Sequence, residues 1–205
     1  MDRMIRKFPI GIQNFESLIK DGYVYVDKTA LVYQLANTGR YYFLSRPRRF
    51  GKSLLLSTIE AYMSGKKELF KGLALESLEQ EWEEHPIFHL DLNTEEYKNL
   101  DSLKRRLDNT LSYWEQLYGT RPSETSLPLR FEGIVRRACE QTGHRVVILV
   151  DEYDKPMLQA IGNEELQEEY RSLLKAFYSV LKSQDRYIRL AFLTGVTKFG
   201  KVSVF

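Results

Sequence analysis

An α/β fold around a mainly parallel sheet is what this sequence predicts, and two patterns predict it. Short, near-continuous apolar runs recur along the chain, at Tyr41–Leu44, Ile87–Leu92, Val146–Val150 and Leu190–Leu193, each bounded by polar or turn residues. Segments with helical spacing separate them. An apolar run without polar alternation is a strand covered on both faces, as in a parallel sheet, and strands alternating with helices give a layered α/β architecture.

The elements follow in order. Tyr23–Val26 is a short strand-like piece ahead of the sheet. Tyr41–Leu44 is the first full strand, and Ser53 to Met63 a helix carrying Leu54, Leu55, Ile59 and Tyr62. Ile87–Leu92 is the second strand. Leu100 to Tyr118 is a longer amphipathic helix with Leu103, Leu107, Leu111 and Trp114 on one stripe. Gly119 to Pro128, with Pro122, Pro128 and Ser/Thr breakers, reads as a connection. Phe131 to Thr142 is a third helix, which Gly143 is placed to stop. The strand Val146–Val150, a helix over Glu164 to Lys182 and the strand Leu190–Leu193 complete the pattern. The acidic clusters Glu79–Glu84 and Glu164–Glu169 read as solvated helix faces. The last residues, Lys201–Phe205, are apolar and uncapped, so further domains are expected beyond them.

Composition narrows the function classes. The 205 residues suit one α/β domain, taken as residues 1–205, or one with a small appendage. The net charge of +2 lacks the basic excess of a dedicated nucleic-acid binder, so any nucleic-acid contact is expected to be indirect. The single cysteine, Cys139, has no partner for a disulfide or a zinc set and reads as a small packed side chain on a helix. No apolar run reaches membrane-spanning length and no signal core follows the N-terminus, so a cytoplasmic protein without membrane contact is expected. His85, His89 and His144 have no metal-ligand spacing.

Chemistry concentrates after the first strand, in Arg46-Pro47-Arg48-Arg49-Phe50-Gly51-Lys52-Ser53 followed by Leu54. A loop between a strand and a helix start is the context of a phosphate loop, because curled backbone N–H groups and the positive end of a helix dipole both favour an anion. Gly51 lets the main chain approach the phosphates, Lys52 would bridge the β- and γ-phosphates, and the Ser53 hydroxyl would ligate Mg²⁺. The usual pattern is G-x-x-x-x-G-K-[ST], and Arg46 stands where its first Gly would be. Taken alone, G-K-S reads equally as an Arg-rich solvated turn before an ordinary helix. Arg48 and Arg49 could contact phosphate or clamp a carboxylate such as Asp151 or Asp154, or simply keep the loop solvated.

A second signal supports the first. Val146–Val150 runs into Asp151-Glu152, an apolar strand ending in carboxylates. Asp151 would hold Mg²⁺ through water and Glu152 would activate the attacking water. A third strand ends in Leu193-Thr194-Gly195. In the additional-strand class of ATPases such a strand inserts between the loop strand and the acidic strand, and Thr194 would sense the γ-phosphate or place water. Read otherwise, Thr194-Gly195 is only a turn. Tyr153-Asp154-Lys155-Pro156 reads as a turn with Pro156 opening the next helix, although Asp154 could also help at the metal or pair with a base. Lys198 and Lys201 read as surface lysines. The three signals in this order predict a P-loop NTPase fold that binds a nucleoside triphosphate with Mg²⁺; the motifs alone leave ATP and GTP open.

The chain resembles the AAA-ATPase-like family of bacterial and archaeal proteins. The carriers are Pro9-Ile10-Gly11, Tyr25-Val26-Asp27-Lys28-Thr29, Phe43 to Ser53, Leu90-Asp91-Leu92, Val150 to Pro156 and Phe192 to Phe199. Lack of the first Gly is itself a feature of that family. The resemblance implies an additional-strand, AAA+-like ATPase whose mainly parallel sheet is flanked by helices. It also implies a preference for ATP over GTP, and a nuclease-like domain beyond Phe205 as an attached partner. In related ATPases the segment before the loop strand packs near the adenine, so Asp27 would line the base pocket; as residue chemistry it reads equally as a helix cap. The expected activity is ATP hydrolysis driving a conformational change, or nucleotide gating of an attached effector with little hydrolysis. An arginine finger would come from another subunit or from outside this segment, and an oligomer is compatible with that.

Overall fold

The computed structural model describes residues 7–197, and Lys198, Lys201 and residues 201–205 lie outside that range. Within it the chain divides into two compact units, residues 7–39 with 48–85 and residues 40–47 with 86–197.

The second unit holds the sheet. Strands β1 (Tyr41–Ser45), β2 (Ile87–Asp91), β3 (Val146–Asp151) and β4 (Ile188–Gly195) pair in the order β1-β4-β3-β2, every pair parallel. The predicted runs are the strands, with β1 and β3 one residue longer, β2 one residue shorter and β4 extended at both ends. Every residue of β3 is buried, which is why its sequence shows no polar alternation. In β2, at the edge of the sheet, His89 is half-buried.

Taking the helices in chain order, α1 (Phe15–Lys20), α2 (Thr29–Thr38), α3 (Lys52–Met63) and α4 (Ala74–Leu78) belong to the first unit. The second holds, beside the strands, α5 (Leu100–Tyr118), α6 (Leu127–Thr142), α7 (Lys155–Gln159), α8 (Glu164–Tyr178) and the short α9 (Val180–Ser183). Leu103, Leu107, Leu111 and Trp114 of α5 form one core with Phe131 and Ile134 of α6 and Tyr170, Leu174 and Phe177 of α8. That core packs against Phe88 and Leu90 of β2 and Ile148 and Val150 of β3. Phe131 and Phe177 stack at 4.7 Å between centroids. Cys139 is half-buried on α6 and packs on this core.

The first unit has its own interior. Phe15 packs against Phe70 at 5.0 Å and Tyr25 at 5.2 Å between centroids, and Leu56, Ile59 and Met63 of α3 are buried. Phe15 N donates to Ser57 Oγ at 2.8 Å, which ties the start of α1 to α3.

Four expectations are corrected. Tyr23–Val26 is not a strand among the described residues: Tyr23 forms an isolated bridge with Lys7, Val24 N donates to Lys7 O at 2.9 Å, and no further ladder follows there. Helix α6 starts at Leu127, so Pro128 lies inside it. Ser126 caps it by accepting from Leu129 N, and a proline in the first turn forfeits only an N–H that has no helical partner anyway. Residues Glu79–Glu84 are a turn rather than a helix face. Glu79 accepts from Gln80 N at 2.8 Å, Glu81 N at 2.9 Å and the Tyr62 hydroxyl, and α4 ends one residue earlier. The other cluster, Glu164–Glu169, is the start of α8 as expected. The predicted helix over Glu164 to Lys182 breaks at Ser179 into α8 and α9.

Candidate functional site

The phosphate-loop candidate runs from the end of β1 to the start of α3, and the division between the units falls after Pro47. On the sheet side, Arg46 N donates to Gly195 O at 3.1 Å, so the loop leaves β1 still joined to β4. Arg46 to Phe50 are exposed, Phe50 to 67%. On the helix side, Arg49 (φ 68°) and Gly51 (φ 74°) are both left-handed. Left-handed residues in a loop of this kind can curl successive N–H groups to one side, as in an anion-binding nest. A Cβ on Gly51 would meet nothing within 4 Å, so the dihedral rather than the space calls for glycine there. Gly51 O accepts from Leu55 N at 2.9 Å, and having no side chain, Gly51 cannot cap α3 itself. Lys52 is buried in the first turn, with Ser53 and Leu54 half-buried beside it.

The acidic end is assembled wholly within the sheet. Val150 pairs with Leu193, so the next residues, Asp151 and Thr194, stand level on adjacent parallel strands. Both are buried, and Thr194 Oγ1 donates a hydrogen bond to Asp151 Oδ1. Glu152 N lies 3.1 Å from Asp151 Oδ1 and 3.4 Å from Thr194 Oγ1. Tyr153 N donates to Thr194 O at 2.9 Å. Glu152 has φ 52°, a left-handed backbone at a residue with a full side chain, which costs on the order of 1–2 kcal/mol. The strand end thus turns sharply at the residue expected to handle water, and Asp151, Glu152 and Thr194 are brought together.

Asp91, Arg106, Asp154 and Ser45 also join this end of the sheet. Asp91 is the partner of Asp151 in the β2–β3 register, and Leu92 N donates to Asp151 O at 3.1 Å. Arg106 holds the Asp91 carbonyl with Nε at 3.0 Å and Nη2 at 2.7 Å. Asp154 is fully buried and makes no salt bridge to a base among the described residues. Its Oδ2 accepts from Val196 N at 2.8 Å, Thr197 N at 2.6 Å and Thr197 Oγ1 at 2.9 Å. Pro156 lies in the first turn of α7, as the sequence suggests. Ser45 Oγ donates to Val196 O at 2.9 Å. The available signals were a polar residue closing each strand and an Asp three residues after Asp151.

Asp27 has a structural assignment in the first unit. Its Oδ1 accepts from Thr29 N at 2.8 Å and Thr29 Oγ1 at 2.7 Å, and its Oδ2 accepts from Ala74 N at 2.7 Å. One carboxylate therefore serves the N-termini of α2 and α4, and Thr29 Oγ1 completes the junction by accepting from Leu75 N at 3.0 Å. Burial pushes the Asp27 carboxyl up, but the hydrogen bonds from Thr29 and Ala74 outweigh it and hold the group below its ordinary range.

No helix among the described residues is long and apolar enough to cross a membrane. No solved structure matches the chain. It is 40% identical over 201 residues to the "Uncharacterized protein in vnfD 5'region" of Azotobacter chroococcum mcd 1, a match that covers 98% of this chain and 39% of that relative. The chain therefore spans about two fifths of the length of that curated relative. A family model described as "Predicted AAA-ATPase" matches residues 9–205, which takes in every strand, the phosphate-loop candidate and the acidic strand end, and the chain belongs to this AAA-ATPase-like family.

Proposed function

We propose that this domain binds ATP with Mg²⁺ and hydrolyses it to drive a conformational change. The observation that carries the reading is the strand order: β4, ending in Thr194, lies between β1, which feeds the loop, and β3, which ends in Asp151. This is the arrangement the additional-strand reading requires, and family membership supports it.

The residues fit the groups they would hold. Around the phosphates, the loop offers Arg46, Pro47, Arg48, Arg49, Phe50 and Gly51, with left-handed backbone at Arg49 and Gly51, and then the α3 start at Lys52, Ser53 and Leu54. Ser53 and Asp151 are hard oxygen donors of the kind Mg²⁺ prefers. Bound Mg²⁺ would neutralise charge on the phosphate oxygens. Lys52 neutralises phosphate charge, Glu152 takes the proton of the attacking water, and Thr194 keeps Asp151 oriented by its hydrogen bond. Asp27 shapes the α2–α4 junction, and any base-pocket role would be additional to that.

A thermal-shift panel tests the reading, with ATP and GTP, each with and without Mg²⁺, on wild type and Lys52→Ala. Stabilisation by Mg-ATP that Lys52→Ala abolishes is expected; equal ATP stabilisation in the variant sinks the scheme. A second reading, nucleotide gating of an attached effector with little hydrolysis, is favoured by the relative's greater length, of which this chain covers 39%. Single-turnover hydrolysis in the full-length protein separates the two.

A further inference from the structure

The turn after β4 is gripped from both sides. From β1, Arg46 N donates to Gly195 O at 3.1 Å and Ser45 Oγ donates to Val196 O at 2.9 Å. From the segment after β3, Tyr153 Oη donates to Thr197 O at 3.1 Å, and Asp154 Oδ2 takes all three donors of Val196 and Thr197. The approach is close enough to require glycine: a Cβ on Gly195 would lie 2.7 Å from Asp154 Oδ1 and from the Tyr153 ring. Asp154 is 0% exposed, and its Oδ1 has no hydrogen-bond partner among the described residues. Burying a carboxylate this deeply is unfavourable unless hydrogen bonds compensate it, and here all of them come to Oδ2 from the turn after β4.

The purpose follows from what the turn connects. Ser45 and Arg46 are the root of the phosphate loop; Asp151 is three residues before Asp154. We infer that Asp154 is a positioning residue for the nucleotide site: by holding Val196 and Thr197 it fixes the β4 exit turn, and through that turn it keeps the loop root in register with the metal-binding strand end. The inference rests on the nucleotide reading above. In this role Asp154 acts through its bonds to Val196 and Thr197 rather than by contact with nucleotide or metal. Its effect is on the Mg²⁺-dependent part of binding, which needs both strand ends placed together, rather than on the loop's own grip on phosphate.

Calorimetry with ATP, with and without Mg²⁺, tests this on the full-length protein, using wild type, Asp154→Ala, Asp154→Asn and Thr197→Val, each normalised to its folded fraction. The gain in ATP affinity produced by Mg²⁺ is expected to fall about tenfold in Asp154→Ala, with Mg²⁺-free affinity retained. Asp154→Asn, whose amide oxygen still accepts from Val196 and Thr197, should restore the gain. Should Asp154→Ala not fold, Thr197→Val, which deletes one of the three donors, is expected to lower the gain by a smaller factor. An undiminished Mg²⁺ gain in folded Asp154→Ala, or in Thr197→Val where Asp154→Ala does not fold, overturns the inference and leaves the nucleotide reading standing. Absence of ATP binding in wild type overturns both.

Discussion

Thr194 Oγ1 donates to Asp151 Oδ1, joining the C-terminal ends of two adjacent parallel strands at matched height. The hydroxyl also lies within reach of Glu152 N, so it links the expected metal carboxylate to the expected catalytic base. A threonine here is more than the end of a strand. Its donor is directed at Asp151, which makes orientation of that carboxylate its first task.

Thr194→Val keeps the volume and deletes the hydrogen bond. The expected loss is about 1–3 kcal/mol, the usual penalty when a buried acceptor loses its partner. Thr194→Ser should recover most of it. Urea unfolding of the three proteins decides the matter, and equal midpoints for valine and wild type would remove the bond from the account.

Glu152 separates stability from chemistry. Its φ of 52° is strained for any residue with a Cβ, so Glu152→Gly is expected to raise the melting temperature while abolishing ATP turnover. Glu152→Gln keeps the strain and the Mg-ATP affinity and is expected to lose turnover by about a hundredfold or more. A glycine variant that melts below wild type would show that the left-handed turn is stabilised by more than the backbone cost implies.

How much of this was legible in the sequence varies with the range of the interaction. The strands were legible because burial on both faces leaves an unbroken apolar run, as in Val146–Val150. Tyr23–Val26 has the same local composition but forms no ladder beyond its bridge to Lys7 among the described residues, and composition alone carries no information about partners. The reach of Asp27 to Ala74 and of Asp154 to Val196 spans 47 and 42 residues, beyond any local pattern. Asp151, Glu152 and Thr194 were found because strand ends are where such side chains must sit. The hydrogen bond between two of them depends on register, which the pattern leaves open.

Acid should loosen the α2–α4 junction. The folded Asp27 carboxyl titrates below its ordinary 3.8, so its contribution is fully present above that value and is lost as pH falls through the depressed folded value. Asp27→Asn removes this dependence. The variant is expected to be less stable than wild type at neutral pH, with the difference shrinking below about pH 4 as wild type protonates. Denaturation midpoints measured across acid pH check this, and a difference that stays constant with pH would exclude Asp27 as the titrating group.

Gly133 offers a test of sign. Replacing glycine by alanine inside a helix ordinarily stabilises by about 1 kcal/mol. Gly133 lies within α6, yet a Cβ there would fall 1.9 Å from Glu124 Oε1 and 2.8 Å from Arg137 Nη1. That carboxylate has little room to yield, because Arg137 holds both its oxygens in a buried pair and also donates to Gly119 O at 2.6 Å and Tyr118 O at 3.1 Å. The glycine is therefore a socket for the ion pair that pins the loop between α5 and α6. Gly133→Ala is expected to destabilise rather than stabilise, and Arg137→Met, which strands the buried Glu124, to cost about 3–5 kcal/mol. The pair makes no hydrogen bond to Asp151 or Thr194, so ATP affinity per folded molecule should be unchanged in both. A stabilised Gly133→Ala in urea would mean that Glu124 can leave its socket without loss, and the pair would then be a surface ornament rather than a lock on the loop.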